Sequence, residues 1–335
     1  MSDTQFDDEI LDSNAISPTD EEGNPVPVTI PIALAPGVTV VYTTRLGGVS
    51  HGDFGDCNLG GKGGDDPQAI LANRVSLVKS VGCGLSLVSQ VHSGRAVDVD
   101  ASWHLNTPFG FDVSGTPGEV TADGEAQAAT VEADGQVTSR AGVALGMFAA
   151  DCLPVLMADA QAGVIGAAHC GRKGLQRGII SATIDAMVAK GAAPERIAAT
   201  LGPCICGDCY EVGDAIADGF DAQFPGTFTL TRFGGPGIDI AKAARMELAK
   251  AGVPADSIVD SRPRVNAASQ YLYEDEELAS LCAADGEGEP ALADRWSTVR
   301  HSMCTLENPL WYSHRRASLA GKTHEGRLLA LIMRG

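Results

Sequence analysis

The sequence predicts a mixed α and β domain behind an acidic tail. Three observations carry that reading. From Thr39 onward β-rich runs alternate with helix-spaced segments; three apolar runs follow one another closely between Val143 and His169; and the eight charged side chains before Arg45 are all acids, lying between Asp3 and Glu22. Because little apolar periodicity precedes Pro27, residues 1–30 read as a solvated, disordered tail.

In chain order, Thr39–Arg45 and Leu85–His92 are rich in β-formers and read as strands. Between them Asp66–Val81 has helical spacing, with Ile70, Val75 and Val78 as expected core positions. Residues 102–133 are rich in Gly, Thr and acids, hold no Lys or Arg, and read as an insertion or long loop. Val143–Phe148, Leu153–Ala158 and Gly163–His169 are short apolar runs separated by breaks, the pattern of buried strands. Leu175, Ile179, Ile180, Ile184, Met187 and Val188 then recur at helical spacing until Gly191, a suitable stop. Ile197–Leu201 is the next expected strand, and Glu211–Phe224 and Asp239–Ala251 are expected helices. Residues 284–294 read as a second acidic loop, and Trp311–Ser318 and Leu328–Met333 as closing strands. There is no repeat of fixed period.

A chain of 335 residues with 44% hydrophobic side chains has ample material for a core. Its net charge of -19 excludes a protein that coats nucleic acid or an anionic membrane, since no basic excess exists to displace counterions. Any site for an anion must therefore gather its cations locally. The most apolar window, Ala141–Ala150, is too short to span a bilayer. The N-terminus lacks the basic and apolar regions of a secretory signal, so the nine cysteines read as thiols in a reducing cytoplasm.

Of seven histidines, His92 and His169 end predicted strands, where sites are commonly built, and Cys152 occupies the break between two apolar runs. Two imidazoles and one thiolate suit zinc with a fourth position open, where water becomes nucleophilic near neutral pH. The same atoms also allow a metal-free reading, with Cys152 as thiolate nucleophile and a histidine as its base. Taken singly, each of the three is more often structural than functional, because cysteine is among the most buried residue types. Cys204, Cys206 and Cys209 form a denser group, but no partner pair of matching spacing occurs elsewhere; packed thiols in a turn are the plainer reading, since a closed zinc site needs four ligands.

Cations are scarce enough that their clusters matter. Arg172 and Lys173 sit between Gly171 and Gly174 at the start of a predicted helix, a place that suits an anion. Arg45 ends a strand, and Arg315 with Arg316 lies near the C-terminus. The plain alternative for each is a solvated surface charge. The glycine-rich Gly60–Gly64 segment lacks the Ser/Thr and the strand–helix context of a P-loop.

Several strings together give the chain a family likeness: TTRLGGVS (43–50), CNLG (57–60), NR (73–74), QVHS (90–93), DGQVTS (134–139), ADCLPVLMAD (150–159), AAHCGRKGL (167–175), LGPCICGDCYEVG (201–213), and CT followed by SHRR (304–316). With these, the chain resembles the YfiH-like family, known variously as laccase-domain or polyphenol oxidase proteins, peptidoglycan editing factor and purine nucleoside phosphorylases. The likeness runs from about residue 36 to 335, with 102–133 and 284–294 as acidic insertions.

The resemblance implies an α+β fold, a single domain of four layers with helices outside two mixed sheets (an α/β/β/α sandwich). It implies Zn2+ rather than copper on His92, Cys152 and His169, the residues that would also carry catalysis. The implied activity is phosphorolysis of adenosine, inosine, guanosine and methylthioadenosine, with adenosine deamination as a second activity. Arg45, Lys173 and Arg315 are then the expected contacts for phosphate or ribose. A monomer or weak oligomer is expected.

One departure stands out. Where the family shows Ala-Gly-Trp-Arg-Gly, this chain has Cys170-Gly171-Arg172-Lys173-Gly174, losing an aromatic ring and replacing a bidentate Arg with Lys. Two other function classes compete. One is a cysteine- or zinc-dependent amide hydrolase acting on peptidoglycan precursors; the other is a non-enzymatic interaction protein whose tail binds a basic partner. Multicopper laccase chemistry is short of ligands, since seven histidines fall below the roughly ten such an enzyme needs and none occur as His-x-His.

Overall fold

A computed structural model describes residues 19–21, 23–101 and 131–335. The tail before Thr19 and most of the 102–133 insertion lie outside the described residues.

The strands are β1 (Thr29–Ala35), β2 (Val38–Thr43), β3 (Gly84–Ser86), β4 (Ala96–Asp98), β5 (Gly135–Thr138), β6 (Val143–Ala149), β7 (Leu153–Asp159), β8 (Val164–Cys170), β9 (Ala198–Leu201), β10 (Phe228–Leu230), β11 (Pro236–Ile238), β12 (Ile258–Val259) and β13 (Leu328–Arg334). The helices are α1 (Pro67–Val81), α2 (Arg172–Gln176), α3 (Ile179–Ala189), α4 (Asp214–Gln223), α5 (Ile240–Lys250), α6 (Arg262–Tyr271), α7 (Glu276–Asp285), α8 (Leu292–Thr298) and α9 (His314–Leu319). One mixed sheet has the order β1-β2-β13-β6-β3 and the other β12-β9-β7-β8-β5-β4. Within each, antiparallel pairs form the centre and a parallel pair closes at least one edge, β3 on β6 in the first and β12 on β9 and β4 on β5 in the second.

The period of two along each strand makes the layers. In β13, Leu328, Ala330 and Ile332 join Leu145 and Met147 of β6, and Leu156 and Ala158 of β7, in the core between the sheets. The alternate residues Leu329, Leu331 and Met333 face outward to Leu77 of α1. In the second sheet, Leu153, Val155 and Met157 of β7 face outward to Ile180, Ile184 and Met187 of α3 and Ala244 and Leu248 of α5. The result is helix, sheet, sheet, helix, and strands buried on both faces need the continuous apolar runs seen in β7 and β8. The edge strand β1 buries Ile30, Ile32 and Leu34 but leaves Pro31 and Ala33 exposed, and Pro31 suits an edge because its missing N–H has no partner to lose.

Several local expectations are corrected. Packing begins before residue 30, with Val28 and Ile30 in the core. Helix α1 is as expected, with Asp66 accepting a hydrogen bond from the Gln68 N–H and Gly82 in the left-handed conformation beyond its end. Val75, however, is exposed; the buried positions of this helix include Asn73 and Arg74. Asn73 Oδ1 accepts from the Val49 N–H at 2.9 Å and its Nδ2 donates to the Asn58 carbonyl at 2.9 Å, so the helix docks the 49–58 segment with a polar side chain.

Pairing of β3 stops at Ser86 rather than continuing to His92. The helix expected from Leu175 to Val188 is two helices, since Gly178 takes φ 74° between them, and Val188 is exposed. Trp311–Ser318 is not a strand: Trp311 and Tyr312 are buried in a loop, and Ser313 caps α9 by accepting from the Arg316 N–H. The acidic stretch 284–294, whose ends belong to α7 and α8, is exposed for the most part but anchored by two buried carboxylates. Asp285 is ion-paired with Arg45 at 3.0 Å and Arg295 at 2.6 Å, and Glu287 with Arg316 at 2.9 Å.

Candidate functional site

The register of β7 on β8 sets Leu153 opposite Cys170 and Pro154 opposite His169. Cys152, just before β7, therefore meets Gly171, just after β8. Along β8 the residues of odd number point between the sheets, so His169 faces inward at the end of the sandwich, whereas Cys170 belongs to the helix-covered face.

His92 arrives from the first sheet through a turn held by one carboxylate. The buried Asp134 accepts from the His92 N–H at 3.0 Å, the Val91 N–H at 3.3 Å and the Ser93 hydroxyl at 2.7 Å. These bonds turn the chain where a strand would have continued, and His92 takes φ 58°. Asp134 Oδ1 also lies 2.8 Å from His169 Nδ1. One side chain thus fixes both histidines, and it leaves the Nε2 atom of His169 available.

The donor atoms of His92, Cys152 and His169 all lie within 4.8 Å of one another. Cys152 Sγ is 3.6 Å from His92 Nε2. A tetrahedral zinc with the usual Zn–S and Zn–N bonds would separate S from N by about 3.5 Å, so the spacing already fits an ion. A Cβ placed on Gly171 would lie 2.7 Å from Cys152 Sγ and 2.9 Å from His92 Cδ2, so the absent side chain keeps this space clear. The three residues, with an oriented imidazole and a thiol, fit a metal of the zinc type.

Electrostatics support the same use. Burial pushes the Cys152 thiol up, but His169 and His92 beside it more than reverse this and bring it down to about 6. Burial works against a charged His169, yet the neighbouring sulfur and the Asp134 carboxylate raise it to about 9. Asp134, whose burial also opposes its charge, is held at about 2 by hydrogen bonds from His169 and Ser93. Both shifts favour a thiolate at Cys152 beside a protonated His169, the charge pattern that a bound metal would take over from the proton.

The preceding residue, Asp151, has φ 98°, a strained value for a non-glycine residue. Its carboxylate is held by the Thr305 hydroxyl at 2.7 Å, the Ser313 hydroxyl at 2.7 Å and the Arg315 N–H at 2.6 Å. This ties the CT and SHRR strings directly to the cysteine-bearing turn.

The trio lies on the wall of a cavity of about 520 Å³. Phe148 and Tyr210 supply aromatic surface, and Lys62, Arg315 and Arg327 supply cations. Glu325 lies between His314 and Arg327 and pairs with both. Of the three cations expected at a phosphate, Arg315 lines this cavity, its guanidinium 5.7 Å from the centre of the Tyr210 ring. Arg45 is buried elsewhere and spent on Asp285. Lys173 is an exposed residue of α2 and Arg172 hydrogen-bonds Gln176; neither lines the cavity.

Sequence reasoning missed Asp134, Lys62 and Arg327, and gave Gly171 to an anion turn rather than to the space beside Cys152. Asp134 opens one of the family strings, which was its signal. Lys62 sits in the Gly60–Gly64 segment set aside as a P-loop, yet Gly60, Gly61, Lys62 and Gly63 form part of the wall. Among the described residues no helix is long and apolar enough to cross a membrane.

The family model described as multi-copper polyphenol oxidoreductase laccase matches residues 39–275. A protein of Streptomyces griseus named purine nucleoside phosphorylase ORF3 is 41% identical over 215 residues, covering 63% of this chain and 79% of the relative. Adenosine deaminase RL5, from an unknown prokaryotic organism, is 33% identical over 233 residues, covering 68% of this chain and 83% of the relative. The crystal structure of Bacillus licheniformis hypothetical protein YfiH superposes with a TM-score of 0.65 at 24% identity, covering 92% of this chain and 97% of that one, and shares the fold. With its layered sheets and the matched stretch from β2 to α6, the chain belongs to the YfiH-like, laccase-domain family.

Proposed function

We propose that the protein is a zinc-dependent purine nucleoside phosphorylase, acting on adenosine, inosine, guanosine and methylthioadenosine, with adenosine deamination as a second activity. The observation that carries this reading is the meeting of His92, Cys152 and His169 in one cavity with Lys62, Arg315 and Arg327. The relatives named for both activities support it.

Zinc held by His92, Cys152 and His169 would supply a Lewis acid with an open coordination position. Asp134 keeps a proton on His169 Nδ1 and so holds the ring in the orientation a ligand needs. Lys62 and Arg315 concentrate phosphate locally in a chain whose net charge would otherwise repel it. Phe148 and Tyr210 offer flat apolar surface to a purine, and Glu325 offers a carboxylate to ribose hydroxyls. In phosphorolysis the phosphate oxygen bonds to C1′ of the ribose as the glycosidic bond breaks, and the base leaves with a proton.

The test is release of free base from adenosine and inosine by the purified protein, with and without phosphate, beside Cys152→Ala. Phosphate-dependent release that is lost in the variant supports the reading. Absence of release from zinc-loaded protein overturns it and directs the search to amide-bearing cell-wall precursors.

A further inference from the structure

We propose that Cys206, Cys209 and Cys304, together with Glu307, form a second metal site that holds a structural zinc, separate from the cavity trio. The sequence shows Cys206, Cys209 and no matching pair nearby. The fold supplies one: Cys304-Thr-Leu-Glu307 repeats the two-residue spacing of Cys206-Gly-Asp-Cys209 and lies against it. The four donor atoms all lie within 4.8 Å of one another. A tetrahedron of about 2.3 Å Zn–S bonds has edges of about 3.8 Å, so an ion needs only a small contraction of the group.

The backbone aligns the two hooks without help from the sulfurs. Cys204 and Cys304 form a parallel bridge, with the Cys204 N–H on the Met303 carbonyl at 3.0 Å and the Thr305 N–H on the Cys204 carbonyl at 3.1 Å. Each hook is a tight turn, closed by the Tyr210 N–H on the Cys206 carbonyl and the Asn308 N–H on the Cys304 carbonyl, both at 2.9 Å. The Cys206 N–H points at Cys304 Sγ at 3.4 Å, a contact that favours a thiolate.

Charge and burial favour an ion over inert thiols. Cys209, Cys304 and Glu307 are buried and Cys206 is half-buried. Glu307 is a buried carboxylate facing three sulfurs, with Cys209 Sγ 3.3 Å from its Oε1. Its Oε2 is occupied by the Arg300 and His301 N–H groups at 2.9 and 2.7 Å, and Arg232 lies 2.7 Å from Oε1. Three thiolates and a carboxylate around a divalent cation leave an excess negative charge, and Arg232 compensates part of it. A soft, sulfur-rich set selects zinc over magnesium or calcium. Cys206 and Cys304 also line a second cavity, of about 710 Å³, which gives the ion a route in.

The site clips together two segments that serve the first cavity. Tyr210, next after Cys209, lines that cavity, and Thr305, next after Cys304, holds Asp151. The Ile205 N–H also reaches the Asp151 carbonyl, at 3.0 Å. The clip would therefore stiffen the approach to Cys152 without touching it.

The experiment uses the full chain, purified under reducing conditions, loaded with zinc and desalted, with metal counted by mass spectrometry. Wild type should hold two zinc ions per chain, Cys152→Ala one, Cys206→Ser one, and the double variant none. Cobalt(II) added to Cys152→Ala should give tetrahedral visible bands and a sulfur charge-transfer band, the latter reduced by Cys206→Ser. Far-ultraviolet circular dichroism of each variant separates a lost ligand from a lost fold. The proposal is overturned if Cys152→Ala holds no zinc and gives no cobalt–sulfur band. It is equally overturned if Cys206→Ser keeps the wild-type metal content, or if zinc-treated protein carries a disulfide among the three cysteines. Because the Cys152→Ala arm reads the second site with the cavity trio disabled, failure of the nucleoside reading leaves its result standing, and the reverse also holds.

Discussion

Asp134 Oδ1 lies 2.8 Å from Nδ1 of His169, and the same carboxylate receives the backbone N–H of His92. A single buried acid thus fixes the ring of His169, in β8, and the backbone of His92, in the turn beyond β3.

Replacing that acid should weaken metal binding by the proposed trio without removing a proposed ligand. Asp134→Asn is expected to lower metal affinity about 10- to 100-fold, the usual cost of losing a partner behind a ligating histidine. Competition with a graded series of chelators would measure it. Unchanged affinity would mean that the ring is held by something else.

Gly171→Ala tests the space between the proposed ligands. The glycine has φ -67°, which alanine adopts freely, so backbone strain is not introduced. The new Cβ would press on Cys152 Sγ and His92 Cδ2. Loss of metal and of activity is expected, with far-ultraviolet circular dichroism unchanged.

The cations separate by placement. Arg315→Ala should raise the KM for phosphate about tenfold to a hundredfold, the value of a charge-assisted contact, with little change in thermal stability. Lys173→Ala should leave both quantities near wild type, because Lys173 does not line the cavity. Steady-state kinetics over a phosphate range, with melting curves, distinguishes the two.

Arg45 gives the opposite result, through Asp285. Asp285→Ala leaves two buried guanidinium groups without their carboxylate and should cost about 3–5 kcal/mol of stability, read by denaturant unfolding. The pH dependence follows. Burial tends to raise the Asp285 carboxyl, but hydrogen bonds from Arg295 and the charge of Arg45 outweigh it and hold it at about 2. A folded value below the unfolded one, about 3.9, means this contribution is complete above pH 4 and is lost as pH falls towards 2. Asp285→Asn should remove that part of the acid sensitivity; an unchanged acid limb would refute the assignment.

The sequence by itself determined a good deal. The apolar runs at 143–148, 153–158 and 163–169 are strands because residues buried on both faces must be apolar throughout, and the bounds of β6, β7 and β8 follow them closely. His92, Cys152 and His169 were legible as a set because few other side chains supply that chemistry at strand ends, and because the family strings contain them. What the sequence could not decide were contacts between distant positions. Arg45 reads along the chain as an available cation, yet Asp285, 240 positions away, lies against it. Trp311 and Tyr312 look like strand residues, but the packing that buries them and the cap at Ser313 override that local preference. Cys206 and Cys209 acquired partners only through the bridge between Cys204 and Cys304. Local chemistry is written along the chain, whereas which charges and thiols meet depends on how two twisted sheets and their loops close on one another.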